Sequence, residues 1–270
     1  MLGTTEKLTI WQQNVNKSPS CQHDLISNNH LVNMGIDIIA LQEPAINPFN
    51  LTIASRDWLP LYPSTHSDAS TRSRAITMIR SNISTDNWTQ LDFPSGDVAI
   101  VQIKGTWGKI TIFNIYNDCN NNDTIKLLSR FYSRNWTQLE HAETGTAHTI
   151  WLGDFNRHHP LWDDPNDDRL FTNEAIDAAE ILIEVIADVG LVLALPSEML
   201  PKIYGLVRTA SYRLINRLLS RLVYVLSASL SLRSRDSCTE LFWAASEPRL
   251  VFGMFWGASR PCTILSSGLV

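Results

Sequence analysis

Four short apolar runs in this chain each stop abruptly in amides, acids or a tyrosine. The first leads through Ile10 to Gln13-Asn14-Val15-Asn16, and the second through Ile38-Ile39-Ala40 to Leu41-Gln42-Glu43-Pro44. The third ends in Asn114-Ile115-Tyr116-Asn117, and the fourth in Gly153-Asp154-Phe155-Asn156-Arg157-His158-His159. Runs of this kind predict buried strands, here over 7–15, 36–43, 109–116 and 148–155. Strand ends that turn polar together form the floor of a cleft at one edge of an α/β layer. That pattern limits the fold more than any other feature of the chain.

The intervening segments fit the same plan. RAITMIR (74–80), DVAIVQIK (97–104) and LVLAL (191–195) read as further strands, and Gly105-Thr106-Trp107-Gly108 as a hairpin turn. Helices are expected from a Ser20 cap to Gly35, from Asp123 or Thr124 to about Glu140, and from a Thr172 or Asn173 cap to Val189 before Gly190. Hairpins mixed with crossovers predict mixed sheets flanked by helices. Neither GxGxxG nor GxxxxGK[ST] is present, so dinucleotide and P-loop readings have no support.

Composition changes near residue 202. Residues 1–201 carry 13 Lys+Arg against 24 Asp+Glu, whereas residues 202–270 carry 9 against 3. Leu, Ser and Arg supply 31 of the last 69 residues, and all seven His lie at or before His159. Leu, Ser and Arg have the most codons, so 202–270 reads as a region translated out of frame, disordered or irregularly helical. The alternative is an Arg-rich amphipathic helix around 212–232. The expected organisation is therefore a domain over 1–201 and a Leu/Ser/Arg-rich tail over 202–270. Four dispersed cysteines without a CxxC exclude a zinc ribbon and a disulfide scaffold. No run reaches the about 18 apolar residues of a membrane span, and the N-terminus lacks a signal-peptide pattern. The expectation is an intracellular protein with no membrane partner.

Two carboxylates, Glu43 and Asp154, stand among amides with no cysteine ligand and no HExxH. Such a donor set suits a hard cation, Mg²⁺ or Mn²⁺, which keeps several waters and takes one or two carboxylates. Consecutive His158 and His159 point to opposite faces of an extended chain, so they are not expected to bind one metal together.

Asn14, LQEP around Glu43, NIYN around Tyr116 and LGDFNRHHPLWD (152–163) resemble the endonuclease/exonuclease/phosphatase superfamily. The last motif, with the acidic 173–189 helix and LVLALP, is most similar to the apurinic-endonuclease-like domains of fungal non-LTR retrotransposons. The resemblance covers about 7–201. It implies a four-layer α/β sandwich (DNase I-like), incomplete at the C-terminus, and metal-dependent phosphodiester hydrolysis of DNA, with the nucleus as a plausible location. Carried over, Glu43 holds the metal with Asn14 beside it, and Asn14 also orients the phosphate. Tyr116 hydrogen-bonds a phosphate oxygen, Asp154 positions or activates water, and Asn156 stabilises the transition state. Asn16 stands where relatives often have an acid. The family's later strand Asp and terminal Ser/Thr-Asp-His have no match: no His follows His159, and Asp236 is the only later Asp. The function expected is an impaired retroelement endonuclease. An inactive remnant and a lipid or inositol phosphatase of the same superfamily are the alternatives.

Overall fold

A computed structural model describes residues 8–27, 30–67, 72–105, 108–143, 145–163, 166, 168–193, 224–226, 239–244 and 251–256. The first sheet holds β1 (Ile10–Asn14), β2 (Ile38–Gln42), β3 (Trp58–Leu61) and β4 (Ala75–Arg80), in the order β1-β2-β4-β3. Strands β1 and β2 run parallel, with Asn14 opposite Gln42. The second sheet holds β5 (Trp88–Leu91), β6 (Val98–Gly105), β7 (Gly108–Tyr116), β8 (Thr146–Asp154), β9 (Val192–Leu193) and β10 (Tyr224–Leu226), in the order β5-β6-β7-β8-β10-β9. Strands β6 and β7 form the hairpin expected at Gly105–Gly108, and β7 and β8 run parallel with Tyr116 opposite Asp154.

The architecture is the expected four layers. Ile10, Ile38 and Ile79 of the first sheet pack against Val101, Ile112, Ile150 and Leu152 of the second. The first sheet's outer face carries α1 (Pro19–Ser27) and α2 (His30–Asn33), through Ile26 and Leu31 over Ile39 and Met78. The second sheet's outer face carries α3 (Asp123–Glu140) and α4 (Asn173–Asp188), through Leu128, Tyr132, Leu182 and Ile186 over Phe113 and Trp151. Apolar residues on both faces of β2, β7 and β8 follow from this double coverage.

Local signals mostly decide the element ends. Thr172 Oγ1 caps α4 by accepting from Ala175 N–H at 3.2 Å. Ser18 rather than Ser20 caps α1, its Oγ accepting from Cys21 N–H at 3.3 Å, because Pro19 takes the first helical position. Two strands within 1–201 were not expected, β3 and β5. Each is four residues long, sits at the edge of its sheet and alternates exposure, so neither shows the continuous apolar run of the inner strands. Within 202–270, β10 pairs in parallel with β8 and β9, while β11 (Thr239–Ala244) and β12 (Val251–Trp256) pair antiparallel. Of the helix expected over 212–232 only 224–226 is described, as strand, and the rest lies outside the described residues.

A ladder of buried amides ties the sheets together just below the strand tips. Gln12 Nε2 donates to Gln42 Oε1 at 2.6 Å, and Gln42 Nε2 donates to Asn114 Oδ1 at 2.5 Å. Asn114 Nδ2 then donates to the Ile76 carbonyl at 3.0 Å. Unpaired, each amide would cost about 1–3 kcal/mol in this interior, so the ladder fixes the relative register of the two sheets. It thereby fixes which tips can meet.

Candidate active site

Asn14, Glu43, Tyr116 and Asp154 converge in one cleft at the C-terminal ends of β1, β2, β7 and β8. The joint is Asn14, whose Nδ2 donates to Asp154 Oδ2 at 2.7 Å and to Glu43 Oε1 at 3.4 Å. One amide from the first sheet thus bridges carboxylates from both sheets. Its Oδ1 is taken by the Asn16 N–H at 2.8 Å, so Asn16 shapes the turn.

Backbone strain is concentrated here. Glu43, Asn156 and Asn16 each have a φ of 47°, a left-handed conformation that asparagine tolerates and that is costly for Glu43. Glu43 is held in it by its N–H to Arg74 O at 2.8 Å and its carbonyl to Lys17 N–H at 2.7 Å. The twist takes the Glu43 side chain out of the alternation of β2. Gly153 has a φ of 143°, and a Cβ there would lie 1.8 Å from Ile115 O. The glycine before Asp154 therefore lets β8 approach β7 closely enough to seat Asp154 beside Tyr116.

Asp154 is 7% exposed. Burial pushes its carboxyl above the ordinary range and outweighs the hydrogen bonds from Asn14 and Asn156 N–H; the charge of Glu43 pushes it the same way. Asn156 Nδ2 donates to Asn117 O at 2.8 Å, which leaves its Oδ1 as the atom available to the cleft. Burial and the Glu43 charge hold the Tyr116 phenol well above its usual range, so it stays a neutral hydroxyl donor.

Two arginines near the cleft, Arg74 and Arg157, are engaged within the fold. Arg74 is held by Asp97 (Nε to Oδ1, 2.6 Å; Nη2 to Oδ2, 2.7 Å) and by Asp118 at 2.5 Å. Its guanidinium lies 4.7 Å from the Tyr116 ring centroid, so it is a platform for that ring. In return Arg74 draws the Asp118 carboxyl down to about 2. Arg157 is 3% exposed and clamps Asn122 Oδ1 and the carbonyls of Cys119 and Asn121. The two histidines diverge. His158 Nδ1 lies 3.3 Å from Asp163 Oδ2, whereas His159 Nδ1 accepts from Leu161 N–H at 3.1 Å.

Lys17 was not anticipated. Its Nζ lies 3.1 Å from Glu43 Oε2, and that carboxylate is 14% exposed. No sequence signal marks Lys17; it reaches the site because φ 56° there turns the chain. A cation already sits on one Glu43 oxygen, which shows that this edge of the cleft accepts positive charge. Among the described residues no three His, Cys, Asp or Glu side chains form a metal cage. The donor set fits a cation that keeps most of its waters and takes a single carboxylate.

Two mixed sheets face to face, helices outside, and strand tips bearing carboxylates and amides define the DNase I-like α/β sandwich. Residues 110–205 match the family model described as endonuclease-reverse transcriptase. The match takes in β7, β8 and α4, and it is to the retrotransposon type of the superfamily that the sequence motifs resemble. Among solved structures the chain is similar to the endonuclease domain of TRAS1, a telomere-specific non-LTR retrotransposon (14% identity, 66% of this chain and 70% of that one, TM-score 0.44). It is also similar to an endonuclease/exonuclease/phosphatase from Bacteroides vulgatus (14%, 64% and 70%, TM-score 0.37). A third is D. rerio TDP2 complexed with a single strand DNA product (14%, 69% and 64%, TM-score 0.35). No curated protein matches the chain. No helix among the described residues is long and apolar enough to cross a membrane.

Proposed function

We propose that the cleft hydrolyses phosphodiester bonds of DNA, as the endonuclease domain of a retroelement, with Mg²⁺ or Mn²⁺ held by Glu43 beside Asn14. The observation that carries this reading is the Asn14 amide, which joins a buried Asp154 to a partly exposed Glu43 across two sheets. A bound divalent cation supplies neutralisation of phosphate oxygens. The protein supplies the rest. Asp154 accepts a hydrogen bond from the attacking water and turns its lone pair to phosphorus; its raised pKa suits it to take that proton. The new P–O bond forms as the bond to the leaving alcohol breaks, the electron pair goes to the leaving oxygen, which takes a proton from solvent, and Asp154 releases its proton to solvent. Tyr116, kept neutral, donates to a non-bridging oxygen, Asn14 holds the two carboxylates in place, and Asn156 offers its Oδ1 to the attacking water.

The rate is expected to be lower than that of a domain carrying a terminal Asp-His pair, because no His follows His159. The test is nicking of supercoiled plasmid with Mg²⁺, beside Asp154→Ala and a chelator control. Nicking that disappears in both controls upholds the reading. A wild-type rate no higher than that of Asp154→Ala replaces it with the inactive-remnant alternative.

A further inference from the structure

We propose that His158, oriented by Asp163, is a further catalytic residue of this cleft and contacts the scissile phosphate through Nε2. The inference rests on the phosphodiesterase reading and names a residue which that reading leaves unused. His158 lies four residues beyond Asp154 on the same loop, and the backbone between them is held firmly. Phe155 is buried, Asn156 is tied to Asn117, and Arg157 is clamped to Asn122. The loop then turns back through Trp162 N–H and Asp163 N–H to the His159 carbonyl, both at 3.0 Å.

That turn puts a carboxylate behind the imidazole. Asp163, with its side chain 4% exposed, directs one oxygen, Oδ2, at both the His159 N–H (2.9 Å) and His158 Nδ1 (3.3 Å). The ring is thus anchored by one nitrogen. Its side chain is 28% exposed, and no hydrogen bond engages Nε2 among the described residues. The ring is also close enough to Asp154 for its charge to favour the Asp154 carboxylate. With Nδ1 turned to Asp163, Nε2 is the ring nitrogen left to meet a substrate oxygen. A histidine that only closed the turn would not need Nε2 free, since the His159 N–H already satisfies Asp163. Neighbouring His159 is a different case: its Nδ1 is consumed within the turn.

Two experiments test this, one with turnover and one without. In plasmid nicking with Mg²⁺, His158→Ala should lower kcat by about 10²-fold and leave Mg²⁺ affinity unchanged. Added imidazole should restore part of the rate in His158→Ala and none in Asp154→Ala. Asp163→Asn should lower kcat about tenfold with KM unchanged, and His23→Ala, on the exposed face of α1, should match wild type. Equal rates for His158→Ala and wild type would overturn the proposal. In the second experiment, NMR of the ¹⁵N-labelled protein reads the His158 ring while a thymidine dinucleoside phosphorothioate is added with Mg²⁺. A shift of the Nε2 resonance that exceeds the shift at His159 is expected; an unmoved Nε2 overturns the proposal. Because this arm needs no turnover, a wild-type protein that fails to nick would refute the phosphodiesterase reading and still leave the His158 contact decided.

Discussion

The two ends of the sandwich handle buried charge in opposite ways. At one end, β1, β2, β7 and β8 finish in Asn14, Glu43, Tyr116 and Asp154, and two carboxylates share one amide donor. At the other end, where β7 begins, Lys109 is 7% exposed and its ammonium donates to the carbonyls of Gln138 and His141 at the C-terminus of α3. Helix C-termini offer unpaired carbonyls and partial negative charge, so this lysine completes a helix end. A cavity of about 340 Å³, lined by Lys104, Lys109, Gln138 and Glu143, opens beside it. Burial shifts both groups away from their charged forms, Lys109 downward and Asp154 upward. The partners differ: the lysine faces fixed carbonyls, while Asp154 faces another acid beside the Asn14 amide and the Asn156 N–H. Charge that the fold leaves under-compensated is available to a substrate or a cation; charge capped by a helix end serves stability.

The largest effect that separates the two ends is on turnover. Asp154→Ala should reduce plasmid nicking by at least 10²–10³-fold, whereas Lys109→Met should leave the rate within about twofold. A Lys109→Met variant as inactive as Asp154→Ala would erase the distinction. Next comes the cation. Glu43→Ala should weaken Mg²⁺ binding, read by calorimetry, by at least about tenfold, because Glu43 is the carboxylate at that site with a partly open face. Unchanged affinity would move the metal elsewhere.

On the stability axis the order reverses. Lys109→Met removes two hydrogen bonds from a charged donor to carbonyls that have lost the rest of their helix, so a loss of about 2–3 kcal/mol is expected in urea unfolding. Asp154→Ala relieves a buried carboxylate disfavoured by its surroundings, so it should unfold at the same urea concentration as wild type or a slightly higher one.

Much of the cleft is legible in the sequence because its residues sit at the ends of continuous apolar strands. Strand period and polarity mark Asn14, Glu43, Tyr116 and Asp154 directly, and parallel pairing then brings them to one end. What stays hidden depends on contacts distant in sequence. The Gln12–Gln42–Asn114 ladder joins residues 30 and 72 positions apart, and amides within apolar strands read as interruptions until both sheets are in place. The pairing of Arg74 is hidden because its two acids, Asp97 and Asp118, lie 23 and 44 positions away. Edge strands β3 and β5 are missed for a different reason: half their residues face solvent, which weakens the pattern.

Lys17 gives the smallest effect and the finest comparison, since among the described residues its ammonium is the one paired with a cleft carboxylate. Unlike Lys109 it is half exposed, with its side chain at 51%. Its pairing with Glu43 Oε2 at 3.1 Å is therefore open to water and salt and contributes little to stability, about 0–1 kcal/mol. It nevertheless occupies one of the two Glu43 oxygens. A cation binding Glu43 must displace that ammonium or share the carboxylate with it, and two positive charges at one carboxylate repel. Lys17→Met keeps the aliphatic stem and removes the charge. Mg²⁺ affinity should then rise about two- to fivefold at low salt, consistent with the modest worth of an exposed ion pair. The gain should shrink as salt is raised, because added salt already screens the ammonium in the wild-type chain. Urea stability should not change measurably. If Lys17→Met instead weakened Mg²⁺ binding, the ammonium would be a partner that holds the Glu43 carboxylate in place, and the two ends of the sandwich would resemble each other after all.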